Sequence, residues 1–123
     1  MVVGVDSSSE NLNLAQKIIA NHPQDNLNFH LGKVEDVISN MNLEKSCLIL
    51  DPPRAGLHAE VRGALKGSMA QQILYVSCHP ATLARDLKEL TETQFEIESI
   101  QGLDMFPHTP HLETVVALRN NLS

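Results

Sequence analysis

The chain has 123 residues, a formal net charge of −6 at neutral pH, 42% hydrophobic and 20% charged side chains. One ordinary domain is the expectation at this length, no apolar run approaches the roughly eighteen residues of a membrane span, and the start MVVGVDSSSE has none of the basic, apolar and small-residue regions of a signal peptide. Proteins that grip nucleic acid by its phosphates carry a basic face, so the acidic balance leaves only a local patch around Arg54, Arg62 and Lys66, or parts outside these residues, for such a grip.

In chain order, residues 2–5 (VVGV) read as a short buried strand. The stretch SSSENLNLAQKIIANH follows as a helix, with serines able to cap it and Leu12, Ala15, Ile18 and Ile19 at helical spacing. Residues 27–31 (LNFHL) form a second strand, KVEDVISNM a short helix, and residues 46–51 (SCLILD) a third, continuously apolar strand. Residues 56–69 suit a helix, residues 72–78 (QILYVSC) a fourth strand, and a helix runs from Pro80 to about Leu90 with proline in its first turn. Residues 95–101 and 113–118 close the chain as two strands with no helix between them, which predicts a terminal antiparallel pair.

This order, β-α-β-α-β-α-β-α-β-β, predicts a mostly parallel α/β sheet. Ligands of such sheets bind beyond the carboxyl ends of the strands, so the candidates are Asp6, Gly32 to Val34, Asp51 to Arg54, and Cys78 to Pro80. A carboxylate in the place of Asp6 can accept from a ribose diol, or can cap the helix that follows. In LILDPPRAGL two prolines stiffen the turn after a strand and hold Asp51 still for a ligand; the plainer alternative makes Asp51 a solvated cap.

Cys78 stands between a strand and a helix N-terminus, whose partial positive charge suits an anionic nucleophile. Cys47 lies early in a strand among Leu48, Ile49 and Leu50 and is expected to be a buried, inert thiol. The two cysteines form no CxxC pair, which favours reduced thiols in a cytoplasmic compartment. In DMFPHTPHLET the residues His108, His111 and Glu113 are ligand types at close spacing, but they match no helical metal motif, so no metal is assigned and Glu113 is read as a general base.

Three stretches, DPPRAGL, LYVSCHPATLARDL and LDMFPHTPHLETV, closely resemble in order and spacing the signature regions of the S-adenosylmethionine-dependent RNA 5-methyluridine methyltransferases. That family methylates C5 of uridine in tRNA and ribosomal RNA. The resemblance covers nearly the whole chain and implies a Rossmann-like class I methyltransferase fold, S-adenosylmethionine as cofactor, RNA as partner and no metal. It makes Cys78 the nucleophile, Glu113 the base, and Asp6 and Asp51 residues of the cofactor pocket. His79 stands where the family's SCNP motif has asparagine, and Lys33 where relatives carry a polar or acidic residue.

On the same resemblance, residues 1–123 are a single partial catalytic domain that starts at the second strand. The family's first strand, Gly-rich loop and N-terminal RNA-binding parts would precede VVGVD, and those parts would supply most of the RNA contact. Two other readings stand beside this one. An RNA 5-methylcytosine methyltransferase would carry a second cysteine after the Asp-Pro turn, where Arg54 and Ala55 stand instead. A truncated remnant, inactive or dependent on a partner, would keep the motifs without the activity.

Overall fold

The computed structural model describes residues 1–22, 26–105, 108–109 and 112–122. The chain divides into two compact units, Met1–Met41 and Asn42–Ser123.

In the first unit, β1 (Val2–Asp6) pairs in parallel with β2 (Leu27–Leu31), with Val2 opposite Leu27 and Asp6 opposite Leu31. The crossover is α1 (Ser9–Asn21), capped by Ser8, whose hydroxyl accepts from the Asn11 amide. Leu12, Ala15 and Ile19 are half-buried, whereas Ile18, expected to point inward with them, is 62% exposed. The three inward residues follow the i, i+3, i+7 spacing of one stripe, and Ile18 sits about 100° round the helix from Ile19. A short helix α2 (Val34–Val37) runs into a 3-10 turn, Ile38–Asn40, and buries Ile38.

The second unit holds a four-stranded sheet in the order β3 (Cys47–Leu50), β4 (Gln72–Ser77), β6 (Glu113–Asn120), β5 (Phe95–Leu103). β3 is parallel to β4, and β6 is antiparallel to both of its neighbours. The terminal antiparallel pair forms as the sequence predicts, and β6 lies between β4 and β5. Two helices cover one face: α3 (Ala59–Leu65) and α4 (Pro80–Thr91). Ile73 and Tyr75 of β4 alternate inward and meet Leu118 and Val116 of β6, and these four are fully buried with Val61, Leu65 and Leu90 from the helices.

Cys47 departs from expectation, because it is exposed and its thiol lies 3.8 Å from the Gln72 side-chain oxygen. β3 is an edge strand, and period-2 alternation puts Cys47 on the same face as Ile49, which is 73% exposed. Apolar content alone could not tell this half-open strand from a fully buried one.

α3 is also shorter than the 56–69 expected. Gly56 has a φ of +78° in a turn closed by its amide on the Pro53 carbonyl, the helix is capped by His58, and Gly67, at φ +75°, ends it. A side chain at Gly56 would stand 2.6 Å from an Asp86 oxygen and 2.7 Å from an Arg85 nitrogen. Only glycine lets this turn approach α4 so closely.

Asp86 has no exposed surface. One of its oxygens accepts from the Leu57 amide at 2.8 Å and from the Tyr75 hydroxyl; the other accepts from Nε and Nη2 of Arg85 at 3.0 and 2.9 Å. Arg85 also donates to the Ala55 carbonyl at 2.9 Å, and Arg62 donates to the Leu57 carbonyl. The turn after β3 is thereby fastened to α4. Burial, then the bond to Asp86, push the Tyr75 hydroxyl well above the ordinary phenol range, so it stays a donor. Asp86→Ala would leave the arginine and the phenol without their acceptor and is expected to lower urea-unfolding stability by about 3–5 kcal/mol. A loss of about 1 kcal/mol or less, the size of an exposed ion pair, would refute this account of the turn.

Candidate active site

β3 and β4 are parallel, so their carboxyl ends share one edge of the second unit's sheet; Asp51 follows the first and Cys78 follows the second. β6 runs the other way, so it is its first residue, Glu113, that lies at this edge. The last β4–β6 pair is Ser77 opposite Thr114, and the same register carries Cys78 and Glu113 one step beyond it. Asp51 and Cys78 are exposed and Glu113 is half-buried. Three of the four residues singled out in the sequence thus stand at one sheet edge. The fourth, Asp6, ends β1 in the first unit.

The turn after β4 is tightly held. The Ser77 hydroxyl accepts from the His79 amide and lies 3.1 Å from the His79 carbonyl, and α4 begins at once with Pro80. His79 is the cap of α4: its Nδ1 accepts from the Thr82 amide at 3.4 Å. An imidazole nitrogen with a free lone pair thus fills the acceptor role that an asparagine oxygen fills in other helix caps. Asp51 does not cap the helix that follows it, since His58 takes that place with its Nδ1 accepting from the Glu60 amide at 3.2 Å. Among the described residues no hydrogen bond or ion pair occupies the Asp51 carboxylate, which leaves it open to a ligand.

The Asp6 carboxylate is engaged locally. One oxygen accepts from the Ser8 amide at 2.7 Å and the other from the Asn11 side-chain amide at 3.2 Å. The Ser8 bond, then the Asn11 bond, lower its pKa below the ordinary aspartate value. Each carboxylate oxygen can accept twice, so both keep a lone pair for a further donor such as a diol hydroxyl.

The basic patch expected around Arg54, Arg62 and Lys66 is largely neutralised. Arg62 and Lys66 both meet the Glu89 carboxylate, at 3.0 and 3.2 Å, and Arg62 lies 3.7 Å from Asp86. Those two cations hold Glu89 below the ordinary glutamate range. Among the described residues Arg54, in the turn after β3, has no ion pair of this kind, and its side chain is exposed. Sequence reasoning did not single out Asp86 or Thr82. A signal for Asp86 was present, because it takes a place on the apolar i, i+3, i+7 stripe of α4 between Leu83 and Leu90. Of the residues weighed as metal ligands, His111 lies outside the described residues.

An α/β sheet with an antiparallel last strand inserted beside parallel ones is that of the Rossmann-like class I methyltransferase fold. The family model described as tRNA (Uracil-5-)-methyltransferase matches residues 24–121, and the chain belongs to that family. It is 39% identical over 118 residues to an uncharacterized RNA methyltransferase of Clostridium tetani, covering 96% of this chain and 26% of that protein. It is 39% identical over 123 residues to the tRNA (uracil(54)-C(5))-methyltransferase of Pyrococcus horikoshii, covering 95% of this chain and 27% of that protein. Among solved structures, it is similar to the Pyrococcus abyssi tRNA (uracil-54, C5)-methyltransferase in complex with S-adenosyl-L-homocysteine, with a TM-score of 0.80 and 36% identity over 95% of this chain and 28% of that one. The chain therefore spans about a quarter of the length of these relatives.

The Asp6 geometry has a definite sign with pH. A carboxyl whose folded pKa is depressed contributes stability above the unfolded value, near pH 4, and loses it as pH falls through the folded value. NMR titration is expected to place the Asp6 carboxyl below the ordinary aspartate value, and Asp6→Asn is expected to remove the corresponding part of the acid-induced loss of stability. A carboxyl that titrates at or above the ordinary value would show that the Ser8 and Asn11 bonds do not persist in solution.

Proposed function

We propose that the protein carrying this chain transfers a methyl group from S-adenosylmethionine to C5 of a uridine in RNA, through a covalent bond between Cys78 and C6 of the base. The observation that carries this reading is the placement of Cys78 and Glu113 at one sheet edge, one step beyond the Ser77–Thr114 pair. Family membership and the related structure with S-adenosyl-L-homocysteine bound support the cofactor.

C5 of uracil is a weak nucleophile on its own. The Cys78 sulfur adds to C6, forming an S–C6 bond and moving the C5–C6 electron pair onto the C5 side as an enolate. S-adenosylmethionine, when bound, supplies an electrophilic methyl group to C5. Glu113 then takes the proton from C5, the electron pair re-forms the C5–C6 double bond, and the S–C6 bond breaks to return Cys78. With S-adenosyl-L-homocysteine as the leaving product of the methyl donor, atoms and charges balance with one thiolate and one carboxylate.

The residues present fit the cofactor. The Asp6 oxygens have acceptor capacity left for the ribose hydroxyls, and the Asp51 carboxylate is exposed and held on a turn fastened to α4. Arg54, exposed and without an ion pair among the described residues, is a cation at this edge that can meet the RNA. The 5-methylcytosine reading is disfavoured by Arg54 and Ala55, which stand where its second cysteine would be.

The test uses the protein as its gene encodes it, incubated with S-adenosylmethionine and RNA carrying 5-fluorouridine, in which the C5 substituent cannot leave as a proton. Mass spectrometry is expected to find a stable RNA adduct on Cys78, and Cys78→Ala to abolish it. With ordinary uridine RNA, Glu113→Gln is expected to lower turnover by about 100-fold or more, the scale of general-base catalysis, and to let the adduct accumulate. No adduct with the unaltered protein, or an adduct that survives Cys78→Ala, would overturn the mechanism.

A further inference from the structure

The turns after β3 and β4 meet at Thr82, in the first turn of α4. Its Oγ1 lies 2.9 Å from the Arg54 carbonyl, 3.3 Å from the His79 carbonyl and 3.4 Å from His79 Nδ1. A hydroxyl has one proton, and the shortest of these contacts takes it, so Thr82 donates to Arg54. Meanwhile the backbone amide of the same residue donates to His79 Nδ1. One side chain and its own amide therefore tie the turn that carries Asp51 to the turn that carries Cys78. The contact is close on the other side as well, since a side chain at Gly56 would stand 3.1 Å from Thr82 Cβ.

The other bonds across this junction act farther from the nucleophile. Arg85 reaches the Ala55 and Leu57 carbonyls, and Asp86 reaches the Leu57 amide, four and six residues beyond Asp51. Thr82 reaches the carbonyl of Arg54 and the residue directly after Cys78. It is only half-buried, so its hydroxyl contributes less to the core than Asp86 does.

We propose that Thr82 is a positioning residue for the methyl transfer, its hydroxyl setting the Asp51 turn against the Cys78 turn. This rests on the reading of Cys78 as nucleophile and Asp51 as a cofactor-pocket residue. Thr82 touches neither reactant; it acts through the Arg54 carbonyl and the cap of α4. Losing it would disturb the alignment of donor and base without removing a group that binds either.

Thr82→Val keeps the shape and removes the hydroxyl, and Thr82→Ser keeps the hydroxyl and removes a methyl. In the protein as its gene encodes it, kcat for T82V is expected to fall about fivefold to tenfold, the weight of one hydrogen bond, with both KM values within about twofold. T82S is expected to return kcat to within about twofold of the unaltered protein. Thermal unfolding of both should stay near that of the unaltered protein; should T82V fail to fold, Thr82→Ala carries the same comparison with T82S. If T82V turns over as fast as the unaltered protein, or T82S is as slow as T82V, the hydroxyl has no positioning role. The 5-fluorouridine adduct separates the two readings. An unaltered protein that forms it while T82V shows full kcat sinks only the Thr82 proposal, and an unaltered protein that forms none sinks both.

Discussion

The Asp86 carboxylate, wholly buried in the second unit, accepts from the Leu57 amide, the Tyr75 hydroxyl and two nitrogens of Arg85. A charge removed from water in this way is costly unless it is paired and its lone pairs are filled, and here both conditions are met. Its partners come from β4, from α4 and from the turn after β3, so the three cannot shift independently. Gly56 follows from the same constraint, because the turn must pass close enough to Asp86 and Arg85 that no side chain fits. A positive φ at that residue is then tolerated without strain.

What the constraint supports is an edge. Parallel strands deliver Asp51 and Cys78 from one direction and an antiparallel strand delivers Glu113 from the other, so a thiol and a carboxylate arrive from different parts of the chain at neighbouring register positions. The division suits the proposed chemistry, in which the thiolate must add and leave at C6 while a separate carboxylate takes a proton at C5. The cations follow a related division. Arg62, Lys66 and Arg85 are occupied in holding Glu89, Asp86 and the turn carbonyls, whereas Arg54 is exposed in the turn after β3 with no ion pair among the described residues. Charge counting over the whole chain hides this, because it treats structural and free arginines alike.

Much of the fold was legible in the residues. Hydrophobic period and capping residues located every strand and helix in order, and the absence of a helix between the last two strands foretold their antiparallel pairing. Errors arose where a neighbour decides the outcome. Residues 56–69 carry helical spacing throughout, but Gly56 and Gly67 take left-handed conformations and cut the helix at both ends. Cys47 lies in an apolar run, yet its strand has a neighbour on one side only in its sheet and its face is open. Ile18 obeys helical spacing and falls just outside the stripe that faces β2.

The motifs DPPRAGL, SCHP and HLET determine by themselves the family and the residue types at the carboxyl edge of the sheet, because the chemistry proposed for them constrains identity at a few positions and local backbone rules place them just beyond strands. His79 shows the limit of that argument: a substitution within a motif keeps the cap, since what the helix needs is an acceptor and not an amide. Which residues hold those positions in place was decided only by the tertiary structure. Asp86, Arg85 and Thr82 meet the turn after β3 across about thirty residues of intervening chain, Tyr75 reaches Asp86 from β4, and their roles depend on distance and burial, which no local pattern encodes. A carboxylate on an apolar stripe can announce that a partner must exist; the partner itself appears only when the chain is folded.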